Sequence, residues 1–233
     1  MATNGLQPKL AKVAAGLLAL ALLSGTTAAH EVKSAKADFI PPAPGTYRLE
    51  RIQLVPDGAV LDTNGKRARL DQYTRGGVTL LSLMYTSCSD AAGCPMALAT
   101  LQQVRRDLEK RHSIAGKVRL VSLSFDPKHD TPEALRAYSS DDAKKRSVVR
   151  WDFLTTASSH DLRPMLDGLG QDVRVPNDVN EAAKPGNLSH MLKVFLIDRD
   201  GWVREIYTNS FLVPQVIEND IETLLLERGA KRR

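Results

Sequence analysis

The chain has 233 residues, 42% of them hydrophobic and 25% charged, with two cysteines and a formal net charge of +5. This composition excludes a disordered, fibrous or disulfide-scaffolded chain, since scaffolds of the last kind carry Cys above roughly 8–10%. The length fits one domain with a sizeable core, with or without tails.

The predicted elements begin with an export signal. Lys9 and Lys12 precede an apolar run from Val13 to Leu23, and Ser24, Gly25 and the small residues Thr26 to Ala29 follow. A spanning helix needs about 20 apolar residues, so this shorter run between a basic head and a small-residue ending reads as a secretory signal over 1–29. An uncleaved anchor is the alternative. Removing the signal takes two lysines and leaves about +3, too little to argue for a nucleic-acid partner. Part of that excess is Arg228, Lys231, Arg232 and Arg233, and 229–233 reads as a solvated basic tail. No second apolar run of spanning length follows, so a transmembrane body is not expected and the localisation read here is periplasmic.

Residues 30–48, with Pro41, Pro42, Pro44 and Gly45, read as a stiff polar spacer ahead of a folded domain over 49–228. Arg51 to Leu61 and Lys66 to Leu70 flank Asp62-Thr63-Asn64-Gly65, which predicts a β-hairpin. Val78 to Met84 is nearly all apolar and predicts a strand buried on both faces. From Pro95, the apolar residues Ala97, Leu101, Val104 and Leu108 recur at helical spacing. Val118 to Phe125 predicts a second central strand. In the polar turn that follows, Thr131 is placed to cap a helix, with Pro132 at its first position and Glu133 complementing the dipole. Trp151 to Leu154 predicts a strand, and Ser158-x-x-Asp161 a capping box for a helix ending near Gly168. Residues 170–189 read as a long loop. Met191 to Ile197 and Val203 to Tyr207 predict strands about the turn Asp198-Arg-Asp-Gly201, and Pro214 to Glu227 a closing helix. This order specifies an α/β fold, a mixed sheet flanked by helices.

Cys88 and Cys94 stand between the first buried strand and the first long helix. Cys94 falls near the helix start, where free N–H groups and the dipole favour an anion, so its pKa is expected below the roughly 8.5 of a free thiol. Five intervening residues allow the two sulfurs to approach each other or one metal ion. Three readings stay open: an inert structural disulfide in a binding module, a thiol–disulfide oxidoreductase in which one cysteine attacks and the other resolves, and a metal site. A bridge across so short a loop constrains the unfolded chain little, which weighs against the first. No Gly-rich phosphate loop joins a strand to a helix, so a nucleotide site is not expected.

Three segments carry a family resemblance: Tyr85-Thr86-Ser87-Cys88 through Cys94-Pro95; Val121 to Phe125 with Asp126-Pro127-x-x-Asp130-Thr131-Pro132-Glu133; and Ser189-His190 ahead of Phe195 to Gly201. The chain resembles the Sco/SenC family of exported or membrane-tethered thioredoxin-like proteins that handle copper for cytochrome c oxidase assembly. The resemblance implies a thioredoxin-like fold with an N-terminal β-hairpin extension, and a copper site of Cys88, Cys94 and His190 taking Cu(I) or Cu(II). It also implies, as partner, a copper-accepting protein such as an oxidase subunit or a thiol-reducing protein. It makes the chain a metallochaperone or site-reducing thiol protein rather than an ordinary enzyme, with thiol–disulfide exchange at Cys88 and Cys94 as the one catalytic activity in view. Two features depart from the family pattern: five residues separate the cysteines where the family has three, and Ser189 stands where the family commonly has Asp.

Other residues are read as bystanders. His112, His129 and His160 are expected to face solvent, and His30 could bind Cu(II) only as a new N-terminus. Met84, Met96 and Met191 are expected in the core despite their soft sulfur. Asp126 and Asp130 are expected to organise their turn and cap the helix.

Overall fold

The computed structural model describes residues 1–2, 37–88, 90, 92–139, 147–174 and 188–230, the side chains of 228–230 excepted. The expected signal beyond its first two residues, His30, the start of the spacer, most of the 170–189 loop and the last three residues of the basic tail lie outside the described residues. Among the described residues no helix is long and apolar enough to cross a membrane.

Ten strands are described: β1 Gln53–Leu54, β2 Ala59–Asp62, β3 Arg67–Arg69, β4 Val78–Met84, β5 Val118–Ser124, β6 Arg150–Thr155, β7 Val173–Arg174, β8 Ser189–His190, β9 Val194–Ile197 and β10 Trp202–Tyr207. The helices are α1 Asp71–Thr74, α2 Cys94–Glu109, α3 His112–Ala115, α4 Pro132–Tyr138, α5 Ser159–Gly168 and α6 Pro214–Ala230. Eight strands form one sheet in the order β1-β10-β9-β4-β5-β6-β2-β3, and β7 pairs with β8 apart from it. β4, β5 and β6 run parallel while β9 and β10 are antiparallel, so the sheet is mixed, as the alternating pattern requires.

β4 and β5 are central because their side chains have an apolar layer on each side. Val78, Leu80, Val118 and Leu120 pack with Ala97, Leu101, Val104 and Leu108 of α2 and Ile217, Ile221 and Leu224 of α6. Leu81, Leu83, Val121 and Leu123 pack with Leu135 of α4 and Leu162, Met165 and Leu166 of α5. Truncating any one of these fully buried leucines to Ala costs about 2–5 kcal/mol. The caps fall where the sequence puts them: Thr131 Oγ1 accepts from the Ala134 N–H, and Ser158 accepts from the Asp161 N–H.

The strand expected over Arg51–Leu61 is split. Pro56 has no N–H to donate, and the chain breaks there, so β1 pairs with β10 at one edge of the sheet while β2 pairs with β3 and β6 at the other. The β2–β3 turn is built on Gly65, at φ +75°, with Asp62 Oδ1 accepting from the N–H groups of Asn64 and Lys66. The β9–β10 turn repeats the device: Gly201 sits at φ +88° and Asp198 Oδ1 accepts from Asp200 and Trp202.

Among the described residues, hydrogen bonds to the body begin at Pro42, within the segment read as spacer. Asn219 donates to the Pro42 carbonyl at 2.8 Å, Thr223 Oγ1 accepts from the Gly45 N–H at 3.0 Å, and the Tyr47 hydroxyl donates to Asp220 Oδ1 at 2.5 Å. Tyr207, fully buried on β10, donates to the other oxygen of Asp220 at 2.7 Å. Burial outweighs these two donors, and the Asp220 carboxyl is pushed above the ordinary carboxylate range.

Candidate metal centre

The parallel register sets Met84 beside Ser124, so the residues that follow, Tyr85 and Phe125, leave the sheet side by side. Their rings lie 5.0 Å apart. The chain after Tyr85 is held by Asp130, only 1% exposed, whose Oδ2 accepts from the Thr86 N–H at 3.0 Å and from Ser124 Oγ at 2.5 Å. Thr86 Oγ1 donates to its Oδ1 at 2.5 Å. Thr131 caps α4, as expected, while Asp130, expected to share in the turn and the cap, instead ties the cysteine loop to the turn after β5. Asp126 does organise that turn, pairing with His129 at 2.8 Å.

Beyond Cys88 the loop closes through Asp90, whose carbonyl accepts from the Gly93 N–H at 2.8 Å and whose Oδ1 accepts from Ala92 at 3.0 Å. Asn209 clasps it from outside, donating to the Ala92 carbonyl at 2.7 Å. A Cβ on Gly93 would stand 3.2 Å from the Asp90 carbonyl oxygen and 3.3 Å from its carboxylate, so a side chain there would fit only if Asp90 gave way by a few tenths of an ångström. Cys94 then opens α2, 3% exposed, while Cys88 is half-buried; both are free thiols.

His190 arrives on β8, paired with Val173 of β7. This small antiparallel pair closes the base of the segment read as a long loop. The imidazole lies against Phe125, centroids 4.9 Å apart, and meets Tyr85 edge-on at 5.5 Å. Its Nδ1 is 3.0 Å from the Leu188 carbonyl, a bond that fixes the proton on Nδ1 and turns Nε2 to within 3.8 Å of Cys94 Sγ. The donor atoms of Cys88, Cys94 and His190 all lie within 4.8 Å of one another, the one such group of metal-capable side chains among the described residues. His129 and His160 are exposed and stand outside it, as does exposed His112.

The two thiols titrate as a pair. A hydrogen bond from Cys94 lowers the Cys88 pKa to about 4 against the opposing effect of burial, helped by His190 and the backbone N–H groups of Cys94 and Asp90. Cys94, which donates that bond and is more deeply buried, is pushed up instead. This corrects the expectation that Cys94, at the helix start, would hold the thiolate: burial and the shared proton outweigh the dipole. Burial lowers the His190 pKa, but Cys88, the Leu188 carbonyl and the charge on Asp90 outweigh it and the net shift is upward.

Sequence reasoning also missed Tyr85 as a site residue. Its hydroxyl donates to Cys88 and accepts from the Leu188 N–H, bridging the cysteine loop and the histidine strand. Next to the site a cleft of about 290 Å³ is lined by Asp90, Gly93, His190, Met191, Leu192 and Asn209.

The set fits a soft metal ion. Two sulfurs from the loop-to-helix junction and an imidazole nitrogen from β8, supported by outer hydrogen bonds, match the preference of Cu(I) for thiolate and of Cu(II) for added imidazole.

A family profile described as SCO1/SenC matches residues 50–226. Among individual proteins the chain is similar to a SCO1 protein homolog of Bacillus subtilis, 26% identical over 145 residues, covering 62% of this chain and 68% of that one. It is 25% identical to a SCO2-like protein of Rickettsia prowazekii over 187 residues, covering 79% and 84% respectively. Among solved structures, the copper-bound ScoI of Arabidopsis thaliana superposes with a TM-score of 0.61 at 15% identity, covering 75% of this chain and 99% of that one. A SCO1/SenC family lipoprotein of Bacillus anthracis gives 0.57 at 25% identity, covering 80% and 99%. The thioredoxin-like architecture expected from the sequence is the one observed.

Proposed function

We propose that this chain, which belongs to the SCO1/SenC family, is an exported protein of the periplasm that binds one copper ion through Cys88, Cys94 and His190. Copper is its cargo, passed to a copper-accepting protein during assembly of a copper centre such as that of cytochrome c oxidase. The observation that carries this reading is the convergence of the three donor atoms within 4.8 Å, with His190 Nδ1 engaged by Leu188 and Nε2 left for a metal. The copper bound to ScoI proteins of Arabidopsis thaliana and Bradyrhizobium japonicum supports it. Anaerobic titration of the reduced protein with Cu(I) tests it: uptake should reach about one equivalent, and Cys88→Ser, Cys94→Ser and His190→Ala should each weaken binding by about tenfold or more. Unchanged affinity in His190→Ala would exclude the three-donor site.

A second reading rests on the asymmetry of the pair. Cys88 is a half-exposed thiolate and Cys94 a buried thiol, the arrangement of an attacking and a resolving cysteine. On this reading the chain reduces a partner's disulfide without metal. The reduction potential of the pair decides it, since a value below about −300 mV marks an inert structural bond.

A further inference from the structure

The cleft beside His190 holds a side chain whose placement departs from expectation. Met191, expected in the core, is 61% exposed, and it lines the cleft together with His190, Asp90 and Asn209. It does not sit on a loose end. His190 before it is paired in β8, Leu192 after it is buried, and the Met191 carbonyl accepts at 3.1 Å from Nε2 of Gln171, itself only 4% exposed. The backbone is therefore held while the exposed residue lines the cleft. Met84 is buried and Met96 half-buried, as expected of core methionines.

A thioether is a soft donor suited to Cu(I), and it has no proton to lose. Exposed beside His190, Met191 can meet an ion arriving from solvent or a partner before the buried Cys94 does.

We propose that Met191 Sδ is a transient Cu(I) ligand at the mouth of the site, holding the ion as it passes to and from Cys88, Cys94 and His190. The inference rests on the copper reading above. During entry a bond from the ion to its donor molecule breaks as the bond to Sδ forms, and Sδ then yields to thiolate. Any proton displaced from a ligand passes to solvent, and copper remains Cu(I) throughout. Because Sδ binds only in passage, it changes rates in both directions and leaves resting affinity alone.

Stopped-flow exchange of Cu(I) with a bidentate chelator, on the reduced full chain, tests this with Met191→Leu and Met191→Ala. Both variants should keep the dissociation constant within about twofold while loading and release slow by about tenfold, the equivalent of 1.4 kcal/mol in the barrier. Wild-type rates in Met191→Leu would overturn the proposal, since they would make Met191 an apolar contact. A second measurement separates this proposal from the copper site itself. In the double variant Cys88→Ser, Cys94→Ser labelled at the methionine methyls, Ag(I), a redox-inert soft ion, should shift the Met191 signal and leave Met84 unmoved. Failure of that shift overturns the proposal, whereas failure of the wild type to bind Cu(I) overturns the three-ligand reading.

Discussion

Asp130→Ala should be among the most damaging single changes that leave every proposed copper ligand in place. The carboxylate is 1% exposed and accepts three hydrogen bonds, from the Thr86 N–H, Thr86 Oγ1 and Ser124 Oγ. A hydrogen bond to a charged group is worth about 1.5–3 kcal/mol, and the three share one acceptor group, so their sum overstates the loss. Allowing for the hydroxyls to turn to other partners, Ala should cost about 3–4 kcal/mol. Asn keeps one acceptor oxygen and can offer its amide to a rotated Thr86 hydroxyl, so Asn should cost about 1–2 kcal/mol. For a domain of this size each kcal/mol lowers Tm by roughly 2–4 °C, which predicts a fall of about 6–16 °C for Ala and about 2–8 °C for Asn. The assay is thermal and urea unfolding of the reduced, metal-free protein, followed by circular dichroism. The same anchor positions Thr86, two residues before Cys88, so Cu(I) affinity should fall by about tenfold in the Ala variant even well below its Tm. A loss under about 1 kcal/mol with unchanged affinity would refute the claim that Asp130 ties the cysteine loop to the turn after β5.

Three further outcomes follow from the geometry. Iodoacetamide should label Cys88 at a rate that stays flat as pH is lowered to about 5 and falls as pH passes through about 4, while Cys94 remains protected; a labelling midpoint near the roughly 8.5 of a free thiol would contradict the shared proton. Tyr85→Phe removes a donor to the Cys88 thiolate and should move that midpoint upward by less than the loss of the Cys94 bond would, with little change in unfolding free energy. Asp220 has a raised pKa in the fold, so its contribution is fully present below its unfolded value near 4 and is lost as pH rises through the folded value; Asp220→Asn should therefore abolish that part of the fall in stability with rising pH, and an unchanged slope in urea unfolding would count against it.

The parts of the fold that the sequence makes legible are those set by neighbours along the chain. The all-apolar run of β4, the helical stripe Ala97-Leu101-Val104-Leu108, the Thr131 and Ser158 caps and the two Asp-x-x-Gly turns each depend on residues a few positions apart. What escapes is contact between distant segments. Nothing local to Gln53 tells it to pair with Val203 at the far edge from β2, and Arg174 meets Ser189 only once the intervening segment has returned. The site divides the same way. Cys88 and Cys94 announce themselves by their position before a Pro-started helix, and His190 by its resemblance-based spacing to the Asp198–Gly201 turn. Tyr85 and Asp130 stand in the segments that carry the resemblance, but their part in the site stays hidden because their hydrogen bonds cross from strand end to turn. Which cysteine holds the thiolate depends on relative burial, a property of the folded loop, and the helix-start rule alone points to the wrong one.

X-ray absorption on the protein loaded with one equivalent of Cu(I) reads the copper donor set itself. The copper should be bonded to two sulfurs and one nitrogen, with Cu–S near 2.3 Å and Cu–N near 2.0 Å by analogy with other first-row thiolate and imidazole bonds, and with the nitrogen lost in His190→Ala. A shell without nitrogen in the wild type, or one that His190→Ala leaves unchanged, would contradict the three-donor site.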